Sequence, residues 1–195
     1  MFKQNKNIKK SVMREWIESI LIALVLALLI RTFIIQAFKI PTGSMRPTLL
    51  EGDRILVSKF IYGAKLPFSN KHLPAFKAPK RGDVVVFIYP EDLKRDFIKR
   101  LVGLPGDVIE IKDGVIYVND KPLNEAPFNQ HFYYNRGEYP EEGEKITVPE
   151  DSYYVLGDNS SSSKDSRYWG FLNKKYLLGQ AFLIYWPPQR IRLIK

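Results

Sequence analysis

The sequence predicts a mainly β protein, an antiparallel and partly closed β-fold with a small β annex, preceded by one N-terminal transmembrane helix. Three observations lead to this prediction. A basic segment precedes a long apolar run, short runs of β-branched and aromatic residues recur after Pro41, and turn-forming residues separate those runs. A chain of 195 residues has room for one sizeable domain and a short extra segment.

The first 40 residues have the pattern of a membrane anchor. Residues 20–30 read ILIALVLALLI, without a polar side chain, and a helix over residues 16–38 would be about 35 Å long. The longer segment includes Glu18 and Arg31, each near an end, where a long side chain reaches the interface. We therefore expect a transmembrane helix at residues 16–38.

The residues around this helix favour a retained anchor over a cleaved secretory peptide. Residues 31–36 read RTFIIQ, which offers no small-x-small cleavage site, and a buried soluble helix is disfavoured because the run is apolar on all sides. Positive charges before the helix place the N-terminus inside. We expect a cytoplasmic tail at residues 1–15 and an extracytoplasmic β-domain at residues 39–195, in a single-pass protein of the bacterial cytoplasmic membrane.

The sequence after Pro41 is typical of an antiparallel β-domain. Its clearest hairpin reads VIEIKDGVIYVND, in which Asp113 and Gly114 suit the positive φ angles of a tight turn. Two regions rich in proline and polar residues, 63–81 and 119–143, are predicted loops, and the second belongs to an annex at roughly residues 108–150. Strands are predicted at residues 54–62, 84–89, 97–102, 108–111, 115–118, 145–148, 153–156 and 181–186.

Composition excludes several kinds of site and partner. There are no cysteines, which removes disulfides, thiolate nucleophiles and cysteine-based metal sites. The two histidines, His72 and His131, do not form a ligand-spaced pair, so we expect no metal and no cofactor. Residues 1–15 supply +4 (five basic residues and Glu15) of the net charge of +9. Because this cluster adjoins the apolar run, we expect an anionic phospholipid membrane as a partner and no nucleic acid.

Three segments, residues 40–60, 96–107 and 157–170, are candidates for chemistry. Taken singly, each has a plain structural reading as a turn, a solvated strand or a loop. Alternation along the second segment, however, places Lys99 with Phe97 and Leu101 on an apolar face, while Arg100 is expected to point outward. Desolvation lowers the pKa of a lysine, and a neutral lysine can take a proton from a serine hydroxyl.

Together, the three segments resemble the characteristic boxes of bacterial type I signal peptidases, in the same order from residue 40 to residue 170. GSMRPTL resembles the nucleophile box and implies Ser44 as the nucleophile. IKR, followed by GD, resembles the lysine box and implies Lys99 as the general base. GDN and DSRYWG resemble the last box.

The same resemblance implies roles for further residues. The oxyanion hole would be formed by the Ser44 backbone N–H and by the side chain of Thr42, at a position where relatives often have serine. Ser163 would donate or accept a hydrogen bond that orients the lysine. Structural support is expected from Asp158, Asp165 and Arg167.

The resemblance further implies a membrane-bound serine endopeptidase with a Ser-Lys dyad, which removes N-terminal signal peptides from secreted preproteins. Cleavage is expected after small residues in an Ala-x-Ala pattern, with the preprotein docked as an added strand. Met45 is expected to bind substrate. An apolar surface that includes Met45, Trp169 and parts of residues 60–68 is expected to meet the membrane.

Three other readings stay open at this point. A self-cleaving repressor of the DNA-damage type shares the Ser-Met-x-Pro element, but it would need a helix-turn-helix domain before the serine, where this chain has its apolar segment. A catalytically dead, membrane-tethered binding module is disfavoured because Ser44, Lys99 and Ser163 are all present. A relative that processes a single dedicated substrate is the third reading.

Overall fold

The computed structural model describes residues 12–63 and 74–194, which contain two antiparallel β-sheets. Most of the predicted tail at residues 1–15, the centre of the predicted loop at residues 63–81 and part of the expected surface at residues 60–68 lie outside the described residues. The helices and strands are α1 (Val12–Leu29), β1 (Ile35–Lys39), β2 (Arg54–Ser58), β3 (Val84–Ile88), β4 (Asp96–Gly103), β5 (Val108–Lys112), β6 (Val115–Val118), β7 (Lys121–Pro122), β8 (Ile146–Thr147), β9 (Ser152–Leu156), α2 (Ser166–Trp169), β10 (Leu172–Asn173), β11 (Leu177–Trp186) and β12 (Arg192–Leu193).

The N-terminal helix is shorter than predicted at its C-terminal end. A π-helical turn at Ile30–Ile34 follows α1 and leads directly into β1. The prediction that the helix continues to residue 38 is wrong, because β1 pairs antiparallel with β2 and satisfies its backbone hydrogen bonds in the sheet. Within residues 12–63 and 74–194, no helix combines the length and the apolar character that crossing a membrane requires.

The larger sheet has eight strands in the order β1-β2-β11-β3-β4-β9-β10, with β12 paired to β11. Its central strands are covered on both faces. Val84 and Val86 of β3 pack in one core with residues of β2, while Val85 and Phe87 pack in a second core on the other face. A strand covered on both faces reads as a continuous apolar run, and β3 has the sequence VVVFI.

The smaller sheet has four strands in the order β7-β6-β5-β8. The predicted hairpin is present between β5 and β6, with positive φ angles of 51° at Asp113 and 80° at Gly114. Each predicted strand overlaps an observed one, and the mainly β prediction is confirmed. The prediction missed β1, which lies at the end of the predicted helix, and three two-residue strands, β7, β10 and β12. It extended β2 too far, since Phe60–Tyr62 form a 3-10 turn.

Candidate active site

Ser44 lies in a tight loop between β1 and β2. Gly43–Met45 form a single 3-10 turn, and Ser44 is 8% exposed. A Cβ atom at Gly43 would lie 2.8 Å from Glu51 Oε1 and 2.9 Å from Arg46 Nε. The paired side chains of Arg46 and Glu51 therefore pack over the glycine.

Lys99 reaches this serine from the centre of β4. Its Nζ donates to Ser44 Oγ at 2.8 Å and to the Ile98 carbonyl at 2.9 Å. The side chain is 4% exposed, and its Nζ lies 5.3 Å from the centroid of the Phe97 ring, on the same face of the strand. The structure thus brings together two residues that are 55 positions apart in the sequence.

The surroundings of Lys99 favour its neutral form. Burial lowers the pKa of Lys99 to about 8, because the ammonium loses its hydration. The carboxylates of Asp165 and Asp158 raise this pKa, and the guanidinium of Arg167 lowers it. An amine with this pKa is half neutral at about pH 8, and at 2.8 Å it can accept the proton of the serine hydroxyl.

The segment after β9 is fastened to the serine loop. The Asn159 backbone N–H donates to the Ser44 carbonyl at 3.1 Å, and its side-chain amide donates to the Gly43 carbonyl at 3.0 Å. At Gly157, a Cβ atom would lie 2.2 Å from Ser163 Oγ and 2.5 Å from the Ser44 carbonyl oxygen. The sequence analysis placed Asn159 in the last box but gave it no role, since nothing local in the sequence reveals these two backbone contacts.

Asp158 forms a buried ion pair with Arg100, and both side chains have no exposed surface. The carboxylate accepts from Arg100 Nε and Nη2, each at 2.7 Å, and from Thr48 Oγ1 at 2.5 Å. The prediction that Arg100 points outward is wrong, because the opposite face of β4 is also covered by protein. The apolar residues Ile98 and Val102 on that face were the available sign of this burial.

Asp165 and Arg167 form a second buried pair beside the first. Asp165 accepts from Arg167 Nε at 2.8 Å and from the Gly157 backbone N–H at 3.0 Å. Arg167 also donates to the Ser160 carbonyl at 2.8 Å and to the Tyr134 carbonyl at 2.7 Å. These bonds fix the course of the chain from Gly157 to α2 around the Lys99 side chain.

Ser163 and Thr42 both lie close to Ser44 and Lys99 in the fold. Ser163 is 7% exposed, and its Oγ is without a hydrogen-bond partner in the described part of the chain. The structure therefore does not show the expected Ser163–Lys99 hydrogen bond. Thr42 lines the pocket beside Ser44, and its side chain makes no capping hydrogen bond to the 3-10 turn.

Met45 does not lie where the sequence analysis expected it. Met45 has no exposed surface and packs in the core with Ile40 and Leu49, so it is not placed to contact a substrate or a membrane. Apolar side chains that follow a turn are drawn into the core by the hydrophobic effect. Trp169 is half-buried and packs against Phe87, with ring centroids 5.9 Å apart.

A pocket of about 330 Å³ opens beside the serine and the lysine. Its walls are residues 41–44 on one side and residues 96–99 on the other, with Ser162 and Lys164 at the rim. A smaller apolar pocket continues along residues 38–41 and 96–98. Among the described residues, the edge of residues 96–98 opposite β3 pairs with no strand. Within residues 12–63 and 74–194, no group of three or more aspartate, glutamate or histidine residues is placed to hold a metal ion.

The sequence matches a known protein family over most of its length. The model of the family described as signal peptidase, peptidase S26, matches residues 13–186. The chain is 38% identical to signal peptidase I P of Bacillus subtilis subsp. natto, with all of both chains covered. It is 34% identical to signal peptidase I of Pseudomonas aeruginosa, covering 94% of this chain and 76% of the relative.

One solved structure is also similar. A crystal structure of a signal peptidase I from Enterococcus faecalis is 33% identical and covers 53% of this chain and 97% of the other, with a TM-score of 0.42.

Proposed function

We propose that Ser44 and Lys99 form the catalytic dyad of this chain, which belongs to the signal peptidase family, peptidase S26, and is a serine endopeptidase that removes signal peptides. The observation that carries the proposal is the 2.8 Å contact between Lys99 Nζ and Ser44 Oγ. The lowered pKa of Lys99 supports it, since only a neutral amine can act as a base.

The proposed reaction follows from this contact. Lys99 takes the proton of the Ser44 hydroxyl while Oγ attacks the scissile carbonyl, and the resulting lysine ammonium gives that proton to the leaving amine as the peptide bond breaks. Water then attacks the acyl-enzyme with Lys99 again accepting the proton. As the ester bond breaks, Lys99 returns this proton to Ser44 Oγ, which restores the serine hydroxyl and releases the signal peptide with its new carboxyl end.

We assign the oxyanion hole to the Ser44 backbone N–H and the Thr42 hydroxyl. Replacing Thr42 by valine keeps the shape of the side chain but removes the donor, so kcat should fall by roughly 10- to 1,000-fold with little change in KM. Thr42→Ser retains the hydroxyl and should stay active. Steady-state kinetics on both variants tests the assignment, and wild-type kcat in Thr42→Val would show that Thr42 is not a donor.

The preprotein is proposed to bind as an extended strand between the two walls of the pocket. The unpaired edge of residues 96–98 offers main-chain donors and acceptors to such a strand. Two adjoining pockets, of about 330 and 40 Å³, open along this edge and share Pro41 and residues 96–98 as walls. Small side chains at the first and third positions before the bond would fit this arrangement, which corresponds to an Ala-x-Ala preference.

The function is tested by incubating the full-length, detergent-solubilised protein with several unrelated secretory preproteins and mapping the products by mass spectrometry. We expect a single cut in each, directly after the Ala-x-Ala sequence. The matched control is the same preprotein with phenylalanine replacing the alanine before the bond, which should resist cleavage. Cuts at unrelated sites would contradict the specificity, and cleavage of one preprotein alone would indicate a dedicated enzyme.

We further propose that the N-terminal segment associates with an anionic membrane and that the β-domain lies outside the cytoplasm. The support is the apolar surface of α1, where Ile20 is 63% exposed and Leu24 is 56% exposed, together with the basic residues that precede the helix. A contiguous apolar surface of this kind requires an apolar surrounding. Basic residues at its N-terminal side favour a cytoplasmic N-terminus.

Protease added to intact bacterial spheroplasts tests this arrangement. The β-domain after residue 40 should be digested, while an epitope tag at residue 1 should stay protected. Lysed spheroplasts, in which both parts should be digested, provide the control. Protection of the β-domain in intact spheroplasts would show that the proposed orientation is wrong.

A further inference from the structure

The Lys99 amine is flanked by a ring that is itself held by a second ring. Lys99 Nζ lies 5.3 Å from the centroid of the half-buried Phe97 ring. Phe97 also stacks on Tyr89, with centroids 4.2 Å apart and ring planes within 3° of parallel. Lys99 lies opposite Val85, Phe97 opposite Phe87 and Tyr89 beside Arg95, so Tyr89 lies beyond Phe97 as seen from Lys99. Tyr89 follows the end of β3 and is 5% exposed. The ring of Tyr89 therefore fills the space into which Phe97 would move if it left Lys99.

Tyr89 is fastened in turn by an ion pair at the rim of the pocket. Its hydroxyl donates to the Glu91 carboxylate, and Lys164 Nζ donates to the same carboxylate oxygen at 2.7 Å. The Lys164 ammonium also lies 5.4 Å from the centroid of the Tyr89 ring. We call Tyr89, Glu91 and Lys164 the aromatic clamp. It ties the turn between β3 and β4 to the loop that carries Ser163.

We propose that Tyr89 is a positioning residue for the base: it holds the Phe97 ring against the Lys99 amine, and Glu91 and Lys164 hold Tyr89 in place. This inference rests on the proposed role of Lys99. A ring fixed beside the amine excludes water from that side and limits the rotamers of Lys99. The amine is then kept both less hydrated and directed at Ser44 Oγ.

The charged groups around Lys99 show that the clamp acts by packing. The charges that shift the pKa of Lys99 are those of Asp165, Asp158 and Arg167, and Lys164 of the clamp lies at the rim of the same pocket. Asp96, at the start of the same strand, is close to Lys59. Within the clamp, Glu91 and Lys164 compensate each other's charge. Loss of the Tyr89 ring would therefore change the hydration of Lys99 more than the charge around it.

The test compares Tyr89→Leu with Tyr89→Phe in the full-length protein. The measurement is kcat/KM on a synthetic preprotein peptide across pH 6–10, with thermal unfolding as the fold control. In the wild type, kcat/KM should rise with pH, and the midpoint of this rise, which we call the limb, should lie at about pH 8. In Tyr89→Leu, the limb should move up by about one pH unit, since a hydrated amine holds its proton more tightly, and kcat/KM at pH 7 should fall about 10-fold. Tyr89→Phe keeps the ring and should stay within about 0.2 units of the wild type.

Glu91→Ala/Lys164→Ala provides a second variant that leaves the core intact, because the two side chains are 50% and 58% exposed, and it removes both charges of the clamp together. It should raise the limb by about 0.3 units, whereas Asp92→Ala/Arg95→Ala, which removes the Asp92–Arg95 pair in the same turn, should not. An unmoved limb in Tyr89→Leu would overturn the inference, as would an equal shift in Tyr89→Phe; if Tyr89→Leu does not fold, an unmoved limb in Glu91→Ala/Lys164→Ala does so. If the wild-type profile shows no rise that depends on Lys99, the proposed Ser44–Lys99 dyad is itself wrong.

Discussion

Ser44→Ala and Lys99→Ala should each lower the kcat of preprotein cleavage by a factor of about 10⁴ or more, because the two residues act as one unit. Without the hydroxyl there is no nucleophile, and without the amine the hydroxyl keeps its proton at working pH. The double variant should be no worse than either single one, since the second change removes a group that has already lost its partner. Single-turnover cleavage followed by mass spectrometry measures these losses.

Lys99→Arg tests whether Lys99 acts as a base or only through its positive charge. A guanidinium cannot give up its proton at working pH, so this variant should be as inactive as Lys99→Ala even though it retains the charge. Lys175→Ala, at an exposed lysine, is the matched control and should be fully active. Circular dichroism spectra like that of the wild type establish that the inactive variants are folded. Substantial activity in Lys99→Arg would show that Lys99 is not the base.

The part of the site that the sequence predicted depends on short-range rules. Alternation along β4 was sufficient to place Lys99 on an apolar face with Phe97, because side chains of a strand alternate whatever the rest of the fold does. The same rule failed for Arg100, since alternation assigns faces but does not say whether the second face meets solvent. In a strand covered on both sides, an arginine is retained inside by its carboxylate partner, here Asp158.

The remaining contacts depend on tertiary arrangement that no local pattern encodes. The stack of Tyr89 on Phe97 requires the register of the β3–β4 pair, in which Phe97 lies opposite Phe87. The hydrogen bond of the Asn159 side chain to the Gly43 carbonyl joins positions 116 residues apart. The strand β1 was hidden because it lies in the mainly apolar stretch that follows α1, and its pairing with β2 identifies it as a strand.

The second large expected effect is a loss of stability in the variant Asp158→Ala. Arg100 and Asp158 have no exposed side-chain surface, so removal of the carboxylate leaves a buried guanidinium without its counter-charge. The free energy of unfolding should fall by about 3–5 kcal/mol, the range for breaking a buried ion pair from one side. Glu51→Ala is the matched control, because it breaks the Arg46–Glu51 pair, whose side chains are 55% and 40% exposed, and should cost at most about 1 kcal/mol.

Urea unfolding of the three proteins measures this difference, and the double variant Arg100→Met/Asp158→Leu determines its origin. If the cost of Asp158→Ala is the uncompensated charge, two apolar side chains of similar volume should restore most of the lost stability. If the cost is instead the loss of the Thr48 hydrogen bond at 2.5 Å, the double variant should be as unstable as the single one. An unfolding midpoint for Asp158→Ala equal to that of Glu51→Ala would show that the pair contributes little to the stability of the fold. Asp158 is followed directly by Asn159, which binds the Ser44 and Gly43 carbonyls, so the loss of stability should be accompanied by a loss of cleavage.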